Sequence, residues 1–490
     1  MSVCSLGFLA LCVAVVIVSQ LVPGKRLRQP LLAAASAVFL FSYVPNVRSW
    51  ALFAAGLAGT YVALVSVRVS RRRGVAAAAT GLTLLVYLYA KRYDFFATWV
   101  PVPMDWDLSL HPVELVGLSY ILFKVIHLFV DECQGQLAPF NLWSYVNYQL
   151  SFFTLTAGPI QRYNDFWRDW QEIDVRPRDS RESLLLWCRL LAGMIKMSVL
   201  GVWALAAFER AAPPDGPHSL SDALVCFYVY PVYLYLNFSG YTDVMLGAAG
   251  LLGFQLPENF NRPYLARNVL DFWDRWHISV THWIRDYVFM TSYKLAASRF
   301  PSAARYWSYA LLFLALLLAG VWHGTTESFV LFGALNGLGV AVTRAYGDGL
   351  RAALGSAGLK AYLRNRTIRW IATLVTLHYV GFCFLFFSLD LRHVRTLLRT
   401  VPLELLSVPA SLGGWRAVHA APLLIGVCAL VALWKADAIG WALARLAART
   451  RQHTGLMYSI LCAQTSIVVL VLYFDWAFQQ EPPPVLYMAF

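Results

Sequence analysis

The chain has 490 residues, of which 59% are hydrophobic, 15% aromatic and only 14% charged, with a mean hydropathy of +0.56. A soluble protein carries about a quarter charged residues, so this composition excludes a water-soluble enzyme. The formal charge of +13 does not point to nucleic acid either, because the basic residues sit in short connectors between apolar runs.

Apolar runs near 20 residues, enough to cross a hydrocarbon core of about 30 Å, recur along the whole chain. The first, at 3–22, has no basic stretch before it and no A-x-A-like site before Lys25, Arg26 and Arg28. It is read as a retained helix rather than a removed signal peptide. Further spans are predicted at 30–45, 49–67, 74–90, 112–130, 141–160, 184–207, 221–237, 239–254, 304–322, 326–344, 368–388, 418–436 and 456–476. Some of these can be re-entrant, so the expectation is 11 to 14 membrane elements in an all-α polytopic membrane protein. No internal repeat is visible, and one membrane domain is expected to cover 1–490.

The basic clusters Lys25–Arg28, Arg68–Arg73, Arg176–Arg181 and Arg351–Arg369 follow the positive-inside pattern. They put the N-terminus and the Pro45–Arg48 turn outside and the 23–29 turn and "RVSRRR" inside, and the basic excess also attracts anionic lipid. Residues 161–183 read as a charged, aromatic surface segment, and 345–367 as a basic connector. The eight cysteines are scattered without a CxxC pair, so neither a disulfide framework nor a metal site is expected.

The densest block is 259–290, "NFNRPYLARNVLDFWDRWHISVTHWIRDYVFM". Asn261, Arg262 and Pro263 suggest a turn, followed by a helix from about Asn268. On one continuous helix Trp273, Trp276, Val280, Trp283, Ile284 and Tyr287 form a stripe. Asp271, Arg275, His282 and Asp286 fall opposite, in two i,i+4 pairs. His277 lands at the edge of the aromatic stripe, with Asp274 one turn earlier, and His282 among the charges. His277 is therefore a core histidine tying helices together or a functional group, and the tryptophans are packing or a substrate wall.

In "LLLAGVWHGTTESFVLFGALNG", residues 316–337, His323 interrupts an apolar span. An ionisable group there is costly and normally faces a cavity or a partner. Gly320 and Gly324, four apart, let a neighbouring backbone approach. An imidazole beside a small gap suits proton transfer, although a helix–helix hydrogen bond fits as well. His127 and His378 are also intramembrane, so position alone does not single out His323.

The ordered set of motifs resembles the membrane-bound O-acyltransferase (MBOAT) family. The nearest branches are the bacterial polysaccharide-modifying ones: alginate-type O-acetyltransferases and D-alanyl transfer proteins of teichoic acid. The set runs "GLSYILFKVIHLFVDECQGQ" (117–136), "SFFTLTAGPIQRY" (151–163), the 237–289 block with "PENFNRPY" and "FWDRWHIS", "GVWHGTTESFVLFGALNG" (320–337) and "FFSLDLRHVRTLL" (386–398). The resemblance implies a ring of helices and re-entrant segments around a central funnel. N-terminal helices would occupy about 1–110, a motif-bearing core about 115–345 and C-terminal helices about 368–490.

By the same resemblance the catalytic histidine is His323 and its companion His277. Trp273, Trp276, Asn261, Asp274 and Trp322 are then candidates to contact substrate. Val288, Phe289 and Met290 would form a docking patch for an acyl carrier protein. No bound cofactor is implied, since the acyl thioester, on acetyl-CoA or on a carrier's phosphopantetheine, is a substrate. An extracytoplasmic glycan-modifying partner protein, membrane lipid and a bacterial plasma-membrane location are implied, and no nucleic acid.

Two departures leave the acyl group open. "RDYVFMTSYKLAASRF" is closer to the D-alanyl branch, whereas the C-terminal "PVLYMAF" and the length are closer to the acetylating one. Asn336-Gly337 stands where a second His-Gly is often found. Two other classes stay open from sequence: a transporter with a proton relay, and a non-catalytic scaffold. The scarcity of acidic residues in the spans, Asp243 being the main exception, speaks against a relay.

Overall fold

A computed structural model describes residues 5–21, 24–42, 47–91, 117–173, 180–213, 216, 219–407 and 461–470. The predicted span at 418–436, the C-terminal "PVLYMAF", the first half of the Pro45–Arg48 turn and the 174–179 stretch lie outside the described residues. Among the described residues the chain is helical, with a single isolated antiparallel bridge between Phe260 and Trp276. Seven helices there are long and apolar enough to cross a membrane: 49–70, 73–91, 182–211, 220–251, 301–323, 327–364 and 366–388. The protein is a multi-pass integral membrane protein of the all-α class.

The chain divides into two compact units. The first comprises 1–199, 237–258 and 454–490. Its helices are α1 (Leu6–Leu21), α2 (Lys25–Phe41), α3 (Val47–Ser70), α4 (Arg73–Lys91), α5 (Leu118–Cys133), α6 (Leu142–Leu150), α7 (Tyr163–Gln171) and α8 (Ser180–Ile195). The span predicted at 141–160 is not one helix. Asn141 and Ser144 start α6 with reciprocal cap bonds of 2.8 and 3.1 Å, and it stops at Leu150. Buried Lys124 of α5 donates to the carbonyls of Tyr148 and Gln149 at 3.0 and 3.2 Å, and to the Thr154 hydroxyl at 2.7 Å. It thereby satisfies acceptors that a helix end leaves open. Pro159 then bars a return to helix.

Residues 161–173, expected as a charged surface segment, keep Asn164 and Arg168 exposed but bury one face. Tyr163, Phe166, Asp169 and Trp170 of α7 are buried, because its aromatic residues fall on one face at helical spacing and stack on one another and on Phe254. The Asp169 carboxylate accepts from the backbone N–H of Gln255 at 2.8 Å and from Gln161 at 3.3 Å.

Leu220–Leu251 (α10, following α9 at Val202–Ala211) is a single 32-residue helix where two spans were predicted. Asn237, Ser239 and Gly240 look like a break in sequence. Gly240 instead lies mid-helix, where a Cβ would come within 2.7 Å of the Gly193 carbonyl oxygen. Beside that crossing, Asp243 is paired with Arg189 at 2.9 Å and Lys196 at 2.6 Å. The one prominent acidic residue of the apolar runs is thus neutralised in place.

The second unit comprises 200–236 and 259–453. It holds the short helices α11 (Val269–Trp273) and α12 (Ile278–Ile284), a π-turn at Arg285–Phe289, and α13 (Met290–Arg299). These lead into α14 (Ala304–His323), α15 (Glu327–Arg364), α16 (Arg366–Ser388) and α17 (Leu391–Ser407). The helices α14 and α15 form a tight hairpin. A Cβ on Gly337 would lie 2.5 Å from the Phe313 carbonyl oxygen, and one on Gly333 would lie 2.8 Å from that of Leu317. The 345–367 stretch is not a loose connector: α15 continues to Arg364 through Ala- and Leu-rich turns. It kinks where Gly355 takes the left-handed φ of 63° that glycine tolerates.

Candidate active site

The sequence block 259–290 builds its site by breaking its helix. Asn268 caps α11, its side chain accepting the Asp271 N–H at 2.8 Å, and Arg275 closes on Asp271 at 2.6 Å. The start near Asn268 agrees with the sequence reading; the continuation does not. After Trp273 the chain leaves the helix, and His277 sits at φ 46°, ψ 50°, a left-handed conformation uncommon away from glycine. The reason lies in the preceding turn. Asn261 N–H donates to the Arg275 carbonyl at 2.9 Å, Ile278 N–H donates to the Asn259 carbonyl at 3.0 Å, and Phe260 bridges Trp276. These backbone groups are therefore spent on a short ribbon instead of a helix. Trp273, Trp276, Val280, Trp283 and Ile284 are still buried, but through two short helices joined at His277.

The turn brings His277 against the end of α14. His277 is 1% exposed and His323 2%. The Trp322 ring stands 6.3 Å from the His277 ring and 4.6 Å from that of His323. Phe387 and Phe332 close the other sides of His323 at 5.3 and 6.1 Å. Trp276 stacks on Phe272 at 5.6 Å, and Trp273 donates its indole N–H to the Asn336 side chain at 3.2 Å. Burial, and after it the charge that a protonated His323 would carry, holds the His277 imidazole well below its usual range. His277 is thus held in its neutral form.

The predicted site residues separate into two groups. His277, His323, Trp273, Trp276 and Trp322 are buried together. Asn261 and Asp274 are exposed, so Asp274, which continuous helical spacing puts one turn before His277, does not join the buried cluster, and Asn261 works through its backbone. Val288, Phe289 and Met290 are half-buried around the π-turn, with Lys294 and Arg299 exposed beyond them. His282 is half-buried. Phe332 and Phe387 escaped the sequence reading, since nothing distinguishes them from other aromatic positions in apolar helices, and Asn336, noted there only as a departure from a His-Gly pair, is the acceptor for Trp273.

The other intramembrane histidines are elsewhere. His127 accepts the Tyr163 backbone N–H at 3.3 Å while its Nδ1 faces the Phe123 carbonyl at 3.2 Å, which makes it a tie within the first unit. His378 is exposed on α16, bonded to Tyr228 at 3.0 Å. Among the described residues, no three His, Cys, Asp or Glu side chains are grouped to hold a metal ion.

The sequence profile of the membrane-bound O-acyltransferase family matches residues 80–385, a stretch that contains nearly the whole of this cluster, Phe387 lying just beyond it. The chain is 28% identical to the Pseudomonas aeruginosa protein named "Probable alginate O-acetylase AlgI" over 66% of its own length, spanning 62% of that protein. It is 30% identical to the Pseudomonas putida protein of the same name over 66% of its length and 67% of that relative. It is also 28% identical to the teichoic acid D-alanyltransferase of Bacillus subtilis over 58% of its length and 73% of that relative.

Proposed function

The chain belongs to the membrane-bound O-acyltransferase family, and from that premise we propose that it moves a small acyl group across a bacterial plasma membrane. The group, acetyl or D-alanyl, comes from a cytosolic thioester. The acceptor is a hydroxyl of a cell-surface polysaccharide or teichoic acid, reached directly or through an extracytoplasmic partner protein. The observation that carries the reading is the pair of buried imidazoles, His277 and His323, around Trp322 at the end of an apolar span. Similarity to relatives named for acetyl transfer and for D-alanyl transfer supports the acyl class.

In this mechanism the donor stays in the cytosol and only its acyl end enters. The acceptor hydroxyl gives its proton to His323 as its oxygen attacks the thioester carbonyl. The C–S bond then breaks, and the leaving thiolate takes the proton back from His323. A positioned base contributes about 10²–10⁴-fold, and holding the two substrates in line contributes more. Neutral His277 offers a hydrogen bond to the oxygen that becomes negative in the tetrahedral intermediate. The proton relay of a transporter fits less well, because Asp243 is held by Arg189 and Lys196.

The reading is tested by reconstituting the purified protein in vesicles with labelled acetyl-CoA, acetyl-carrier and D-alanyl-carrier, and following label to an acceptor added on the far side. Transfer from none of these would overturn it. In the same assay His277→Ala is expected to lose about 10²-fold, the usual cost of one oxyanion donor. His282→Ala should stay within about twofold, as a substitution away from the cluster. A greater loss at His282 than at His277 would reject the role given to His277.

For the donor side, half-buried Val288, Phe289 and Met290 next to Lys294 and Arg299 offer apolar contact area and a steering charge to an acidic carrier. Val288→Asp with Met290→Asp is expected to weaken carrier binding at least tenfold (~1.4 kcal/mol), measured by interferometry on monodisperse protein in detergent. Undiminished carrier binding, together with loss of activity on acetyl-CoA, would reject docking here and favour a direct CoA donor.

A further inference from the structure

We propose that Asn259, outside every motif role assigned above, is the positioning residue for His277, acting through the backbone that carries the imidazole. The inference rests on the acyl-transfer reading of His277. Asn259 is fully buried, at 0% exposure. Its carbonyl accepts the Ile278 N–H at 3.0 Å and its Oδ1 accepts the Ser279 N–H at 3.2 Å. Those are the first two N–H groups of α12, which have no partner within their own helix. The usual solution is a Ser, Thr, Asp or Asn at the N-cap itself, whose side chain folds back onto the helix. Here the N-cap residue is His277, and its imidazole makes no cap bond. A residue from a different turn does the capping, which leaves the N-cap side chain to point at Trp322 and His323.

The same two bonds hold His277 in its left-handed conformation, which persists only where surrounding structure over-determines it. Asn261 and Phe260 anchor the adjacent residues Arg275 and Trp276. Asn259 secures the far side of His277, and does so with both its main chain and its side chain. Its Nδ2 has no hydrogen-bond acceptor among the described residues, so the carboxylate oxygen of an aspartate can replace the clamp without giving up a bond. A carboxylate facing the N–H groups of a helix start is also electrostatically favourable.

The test is a double-mutant cycle on purified protein in vesicles, with kcat and KM for the thioester and a thermal melt for each variant. Asn259→Ala is expected to lower kcat about ten- to a hundredfold, the scale of a misplaced catalytic group, with KM for the thioester unchanged. Asn259→Asp should recover to within about threefold of wild type. In a His277→Ala background Asn259→Ala should cost less than about twofold, because coupled residues are non-additive. Equal cost in both backgrounds, or no rescue by folded Asn259→Asp, overturns the positioning role. His277→Ala at the wild-type rate would instead overturn the acyl-transfer role of His277 itself. If Asn259→Ala fails to fold, Asn259→Ser carries the same cycle.

Discussion

His323→Ala, and separately His323→Gln, is expected to reduce acyl transfer by about 10²–10⁴-fold, the share a general base supplies, while the protein still inserts and purifies as a monodisperse species. His323 is 2% exposed and ringed by Trp322, Phe332 and Phe387. Deleting the imidazole leaves a cavity among aromatic side chains at the end of α14. Such a void typically costs a few kcal/mol at most, and it does not touch the glycine contacts that hold α14 to α15. Activity and folding should therefore separate at this position. The assay is label transfer in vesicles alongside a thermal melt. Near-wild-type transfer by His323→Ala removes it as the base, and loss of folded protein with both variants makes it a helix tie.

Gly320→Leu should do the reverse and remove the folded protein. A Cβ at Gly320 would run into the Gly333 backbone and the Phe329 carbonyl oxygen, which cannot rotate away as a side chain can. Overpacking a core costs about 1–3 kcal/mol even where side chains can adjust. Here two backbones must part, and with them Trp322 and His323 leave Phe332. The expected result is a collapse in the yield of detergent-stable protein, read by fluorescence-detected chromatography. Gly347→Leu, with open space around its Cβ, serves as the control. A stable Gly320→Leu protein would mean that the hairpin is not held by this contact.

The two experiments divide along a line that the sequence half showed. Gly320 and Gly324 were both legible as small residues near His323, but they differ in role. Gly320 lies in the helix contact, where α15 brings Gly333 against it. Gly324 lies beyond the helix end in extended backbone, against the Phe329 ring. The His323 environment was legible only in part for the same reason. Trp322 is adjacent in the chain, whereas Phe332 and Phe387 reach it from other helices.

What the sequence determined by itself is whatever a short window can carry. An apolar run must be long enough to span a membrane, so the spans predicted at 3–22, 49–67, 74–90, 304–322 and 368–388 match observed helices to within about three residues at each end. The Asn268 cap and the Asp271–Arg275 pair obey local spacing rules, and both are present. The ordered motifs identified the family. Tertiary structure decided the rest, and each case turned on a group finding a distant partner. Lys124 captures the carbonyls that end α6, Gly240 lies within a continuous helix where it packs closely against Gly193, and the aromatic face of α7 is buried despite its charge. The largest case is His277, which continuous helical periodicity assigns to the middle of a helix. The helix opens there because Asn259 and Asn261 take hydrogen bonds that the helix would otherwise use. A pattern of about 3.6 residues per turn records which side chains would share a face. It cannot record which backbone N–H groups a residue from a distant turn will claim.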